Sequence, residues 1–121
     1  MLKLLEKNHW ISLGKEVKEL KNIKDFLEIN KKFTQEFSDS WWPGKIRIYK
    51  IKVRIATIEC ALELLKKNLK KISNKELKLK IELSKELLMW KRIRRNPWDL
   101  KKYAQEIENT IMKEIQILKS I

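Results

Sequence analysis

Eight apolar residues, Ile48, Ile51, Ile55, Ile58, Leu62, Leu65, Leu69 and Ile72, follow one another in alternating steps of three and four. A helix brings such positions to one face, whereas a strand divides them between two. The spacing predicts a single helix over 45–72. A second apolar line, Ile46, Tyr49, Val53, Ala56, Cys60 and Leu64, lies on the opposite side of that helix. A helix apolar on two sides is expected to have neighbours on both. A strand over 45–55 is the rival reading. It fails because Ile46 and Ile48 point to one face while Ile51, Val53 and Ile55 point to the other, which breaks a period of two. No second strand exists to pair with it, and an unpaired strand leaves its backbone groups unsatisfied.

The flanking segments read as helices too. Ser73-Asn74-Lys75-Glu76 has the capping-box pattern, with a hydroxyl at the cap and a glutamate three residues on. The helix it opens runs over 74–95. Leu77, Ile81, Ser84 and Leu88 form one line on it, and Leu79, Leu83, Leu87 and Trp90 another. Asn96-Pro97 ends it, and Pro97 is placed to start the next helix, where a missing amide costs nothing. In that last helix Leu100, Tyr103, Ala104, Ile107, Ile111, Leu118 and Ile121 make one apolar stripe, the pattern of an outer helix packing by one side. Before residue 40, Ser12 is a candidate cap for 15–21, and Asn22 for a second run carrying Phe26, Leu27, Phe33 and Phe37. Trp41-Trp42-Pro43-Gly44 is the clearest break in the chain.

The expected fold is therefore all-α. It is a compact bundle of four to five helices built round a central antiparallel hairpin of 45–72 and 74–95, with 1–121 as a single helical domain. Two Gly and two Pro are too few to punctuate a many-stranded sheet. No run of 18 apolar residues occurs, and the first residues lack the apolar core of a secretory signal, so an intracellular, cytoplasmic protein is expected. The 48–72 stripe serves a dimer seam as well as a core, so the sequence leaves the oligomeric state open.

Charge is what singles this chain out. Lys and Arg number 29 against 16 Asp and Glu, for a formal net charge of +13. Residues 45–95 hold 17 basic and 5 acidic side chains, while the segments before and after are close to balance. Arg47, Lys50 and Arg54 share one flank of the first hairpin helix, and Lys78, Lys85 and Arg92 one flank of the second, followed by Arg94 and Arg95. An antiparallel hairpin would gather all five arginines at one end. The guanidinium is a planar fork suited to phosphate. Cations in the last turn of a helix also favour its dipole, which explains part of the cluster without any ligand.

Motifs for catalysis are not found. Gly44-Lys45 lacks the upstream glycine and the following Ser or Thr of a phosphate loop, and no nucleophile elbow occurs. His9 has no recognisable acid partner, and with Cys60 alone it cannot build a zinc site. Cys60 reads as a small buried hydrophobe. Glu59 with Glu63, and Glu82 with Glu86, share helix faces but lack the Glu-x-x-His partners of a bundle metal site, so salt bridges to lysines are expected. No cofactor or metal is implied.

The expected role is a non-enzymatic nucleic-acid-binding protein. It would hold phosphates through Arg47, Lys50, Arg54, Lys85, Arg92, Arg94 and Arg95, with Trp41 and Trp42 as candidate stacking or interface residues. Single-stranded DNA or RNA is favoured, because the tryptophan pair adjoins the basic segment and no helix-turn-helix signature is present. The alternative is an interaction subunit or inhibitor that docks on an acidic protein or a ribonucleoprotein assembly. In size and helicity the chain is similar to the small helical subunits of CRISPR effector complexes, a likeness of architecture alone. Binding to an anionic membrane surface ranks last, since a core consumes the apolar stripes.

Overall fold

The computed structural model describes residues 20–39, 44–67 and 73–121. Among them lie four α-helices, α1 (Asp25–Asp39), α2 (Gly44–Lys67), α3 (Asn74–Arg95) and α4 (Leu100–Ser120), with a 3-10 turn over Pro97–Asp99. No strand occurs among the described residues. The 45–55 stretch is helical, because one continuous helix puts Ile51, Ile55, Ile58 and Leu65 in a single apolar core with the other three helices. The expected helix ends at Ser12 and 68–72, and the Trp41-Trp42 pair, lie outside the described residues.

Local signals set the helix ends. The Asn22 side chain accepts from the Lys24 amide at 3.2 Å, and a turn over 22–24 leads into α1. Ser73 caps α3 by accepting from the Glu76 amide at 3.3 Å. Asn96 has extended backbone and closes α3 through its amide on the Arg92 carbonyl. Its own carbonyl accepts from the Asp99 amide at 3.0 Å, so Pro97 opens the 3-10 turn and α4 begins at Leu100.

The helices run up and down. Lys75, at the start of α3, donates to the Ser120 carbonyl at the end of α4 at 2.9 Å. Arg54 of α2 meets Glu86 of α3, and further toward the start of α2, Arg47 meets Trp98 beyond the end of α3. Lys21 and Ile23 share a cleft of about 410 Å³ with Leu64, Glu76 and Ile121. That end of the bundle therefore collects the start of α1, the end of α2, the start of α3 and the end of α4. The opposite end carries the start of α2, the end of α3 and the turn into α4.

Packing departs from the sequence expectation in two respects. α4 packs against both α1 and α3, so it belongs to the centre as much as the α2–α3 hairpin does. α2 and α3 each bury one broad face rather than two. On α3 the line Leu79, Leu83 and Trp90 is buried, while Leu77, Ile81 and Leu88 are exposed, Leu88 at 61%. On α2, Ile48 and Tyr49 are exposed too. The reason is what completes the buried faces. Arg54 on α2, Glu86 on α3 and Glu114 on α4 turn inward, and satisfying them fixes which side of each helix faces the core.

Candidate nucleic-acid interface

The arginines were expected to converge on solvent, and one of them does the opposite. Arg54 is 1% exposed and lies in the middle of the bundle. Its Nε donates to Glu86 Oε2 at 2.7 Å and its Nη2 to Glu86 Oε1 at 2.8 Å, a bidentate pair. Nη2 also reaches Glu114 Oε1 at 3.5 Å. The guanidinium carbon stands 4.5 Å from the Phe33 ring centroid and 5.3 Å from that of Phe26, so α1 supplies an aromatic wall. Arg54 is thus withdrawn from the phosphate-binding set. A buried guanidinium needs a carboxylate, and α3 provides one at the matching level. Lys50, one turn earlier, is buried on the same inward face and leaves the set for the same geometrical reason.

The network extends to four helices. Trp90 Nε1 donates to Glu86 Oε2 at 2.7 Å, and Asn30 Nδ2 of α1 donates to Glu114 Oε1 at 3.1 Å. Phe33 and Phe37 pack edge-on against the Trp90 ring at 5.9 and 6.1 Å. Burial opposes the charge on Arg54, but Glu86 and Glu114 outweigh it and hold the guanidinium charged, above its ordinary value. Burial also pushes the Glu86 carboxyl up. The charge and hydrogen bonds of Arg54 overcome that push, and Glu86 stays ionised below its ordinary value. Glu114 goes the other way. Burial and the neighbouring Glu86 charge raise it well above the ordinary 4.5, and Arg54 and Asn30 offset this only in part. One cation serves two carboxylates, so one carboxyl keeps its proton. Both Glu86 oxygens accept from Arg54, whereas Glu114 Oε2 has no hydrogen-bond partner, so Glu114 is the carboxyl that burial and the Glu86 charge keep protonated.

The Trp90 bond gives a direct test. In W90F the hydrogen bond to an ionised carboxylate is lost, while Glu86 keeps its bidentate pair with Arg54. The variant is expected to lose at least ~2 kcal/mol of stability, read as a lowered midpoint in a urea titration.

Four arginines remain at the other end of the bundle from the cleft. Arg92, Arg94 and Arg95 occupy the last turn of α3, all exposed, with Lys91 beside them. Trp90, just before them, and Ile93, among them, are buried and anchor that turn in the core. None of Lys91, Arg92, Arg94 and Arg95 makes an ion pair among the described residues, and α3 has no acidic residue after Glu86. Arg47, at the start of α2, is half-buried and stacks on Trp98, its guanidinium carbon 5.4 Å from the ring centroid. Lys85 is exposed on the same flank as Arg92, about 10 Å further along the helix, and pairs with Glu82 at 3.5 Å. The structure therefore joins Arg47, Arg92, Arg94 and Arg95 at one end, leaves Lys85 on the adjoining flank, and removes Lys50 and Arg54.

One surface residue was missed. Trp98 stands 78% exposed in the 3-10 turn. The signal lay in its neighbours, because Asn96-Pro97 forces a turn and the residue after it points away from the helix ends that the turn joins. Cys60 is half-buried and packs against the core. No helix among the described residues is long and apolar enough to cross a membrane. Compared with protein families, curated proteins and solved structures, the chain matches none.

Proposed function

We propose that this protein binds nucleic acid through its phosphates, at the end of the bundle that carries Arg47, Arg92, Arg94 and Arg95. It is a binding role and not a reaction. The observation that supports it is the exposed last turn of α3, where four cations within residues 91–95, held by the buried Trp90 and Ile93, make no ion pair among the described residues. The helix dipole accounts for about one favourable cation in such a turn and not for four that repel one another. A polyanion relieves that repulsion and releases counterions as it binds.

Salt dependence tests the reading. Four to five phosphate contacts to a single strand give a slope of about −3 in log affinity against log salt. Binding to a generic oligonucleotide should then weaken roughly 50- to 100-fold between 50 and 200 mM salt. R92Q/R94Q/R95Q should flatten the slope by about 2. Affinity equal at both salts would reject the role.

A protein or ribonucleoprotein partner is the second reading. The exposed line Leu77, Ile81 and Leu88 on α3 favours it, because three large apolar side chains on one face are wetted at no benefit to a solitary chain. It predicts that L77K/L88K abolishes partner binding and leaves the oligonucleotide slope unchanged.

A further inference from the structure

Among the described residues Trp98 is the largest exposed apolar side chain at the basic end of the bundle, and its surroundings restrict what can cover it. The turn that carries it is closed on itself. Asn96 accepts from the Asp99 amide at 3.0 Å, and its own side-chain amide donates to Asp99 Oδ1 at 3.4 Å. Pro97 fixes the backbone just before the indole, and Leu100, two residues on, is buried in the core. The ring is therefore presented from a braced position and loses little freedom when something lies against it. On one side stands the Arg47 guanidinium, 5.4 Å from the centroid. Just before the turn in sequence come Arg92, Arg94 and Arg95. A partner for this surface must be flat and apolar where it meets the indole and anionic beside it. A nucleobase on its phosphate backbone has both properties, and every base has a π-face to offer.

We infer that Trp98 is a stacking platform for an unpaired nucleobase, which makes the basic end of the bundle selective for single-stranded over double-stranded nucleic acid. This inference rests on the phosphate-binding reading above and refines it. In a duplex both faces of each internal base are covered by its neighbours in the stack, so the indole gains nothing there away from the ends. In a single strand one base leaves its stack and lies on the ring while adjacent phosphates meet the arginines. Trp98 sets the choice of strand, and the arginines set the salt dependence.

The experiment titrates the 121-residue chain with a fluorescently labelled single-stranded 12-mer of deoxyadenylate and with a 12-base-pair duplex of mixed sequence. Both titrations are made at 50 mM salt with wild type, W98A and W98F. The expected result is a loss of roughly 5- to 150-fold in single-strand affinity for W98A, the range that stacking of one base corresponds to. Duplex affinity stays the same, and W98F retains most of the wild-type preference. Because Trp98 is exposed, the thermal midpoint of both variants should match wild type, and W98F tests the inference through its ring even if W98A folds poorly. Equal single-strand affinity in W98A and wild type, with the salt slope intact, would overturn the platform and leave phosphate binding standing. No binding of either oligonucleotide by wild type would overturn both. A polyglutamate peptide bearing one phenylalanine provides the last arm. If W98A lowers its binding as much as that of the 12-mer, the indole is a protein anchor and the inference fails.

Discussion

Replacing both Glu86 and Glu114 by glutamine is expected to destabilise the fold by ~3–5 kcal/mol, the cost of leaving a buried charge without a counterion. For a chain of this size that corresponds to a fall of roughly 10–20 °C in the thermal midpoint. The charge is Arg54, 1% exposed and enclosed by Phe26, Phe33 and the two carboxyls. E86Q alone should cost less than the double variant. With the Glu86 charge gone, the main neighbour that raises Glu114 is gone too, and Glu114 releases its proton to pair with Nη2, already 3.5 Å away. Adding R54M to the double variant removes the orphaned charge and leaves two amides that can bond to each other, to Asn30 and to Trp90. The triple variant should recover at least half of the loss, because an intact buried ion pair is worth little more than its neutral replacement. Urea titrations of the four proteins measure the cycle. A double variant within ~1 kcal/mol of wild type would mean that Arg54 escapes to solvent, and it would then rejoin the phosphate-binding surface.

The polar layer explains which parts of the fold were legible in the sequence. Helix periodicity, the Ser73 cap, the Asn96-Pro97 break and the α2–α3 pairing are all set by residues near one another in the chain, and each is found. The inward direction of Arg54 was not legible in the same way. Arg47, Lys50 and Arg54 are spaced three and four apart, so they share a flank whether that flank is wet or dry. Only a carboxylate on another helix decides between the two, and Glu86 lies 32 residues away. A trace was present nonetheless. The apolar stripe of α4 steps through Leu100, Ile107, Ile111, Ile115 and Leu118, and Glu114 lies on the same face, seven residues after Ile107. Likewise Glu86 fills the step between Leu83 and Trp90, Asn30 that between Phe26 and Phe33, and Arg54 that between Ile51 and Ile58. A charged or amide side chain on the inner face of every helix indicates a layer and not four separate surface charges. For the candidate site, the last turn of α3 was readable because its exposure follows from the Trp90 and Ile93 anchors. Trp98 was signalled only by the Asn96-Pro97 turn before it, and its meeting with Arg47 could not be read, because the two lie far apart in the chain.

Across neutral and alkaline pH, E114Q is expected to be more stable than wild type, and below about pH 4.5 equal to it. In the unfolded chain Glu114 titrates near its ordinary value of 4.5. In the bundle its proton is held to well above that value, by burial first and by the Glu86 charge second. Between the two values the folded state binds more protons than the unfolded state, so stability falls as pH rises. The contribution of Glu114 is thus fully present below 4.5, declines through neutral pH, and levels off once pH exceeds its raised folded value. Each pH unit within that window removes ~1.4 kcal/mol. Glutamine copies the size and neutrality of the protonated acid and has nothing to titrate, so the variant lacks this decline. Glu86 has the opposite sign. Its folded value lies below the ordinary one, so its contribution is present above pH 4.5 and lost as pH falls through the depressed value. Both proteins share that acid limb, and subtracting one curve from the other isolates Glu114. The measurement is urea unfolding of wild type and E114Q at pH 4, 5.5, 7 and 8.5. A difference that grows with pH and then levels off locates the proton on Glu114. A difference that is flat across the four points would place two ionised carboxylates around a single guanidinium, and the charge balance of the core would need another cation, for which Lys50, buried one turn before Arg54, is the nearest in sequence on that inner face.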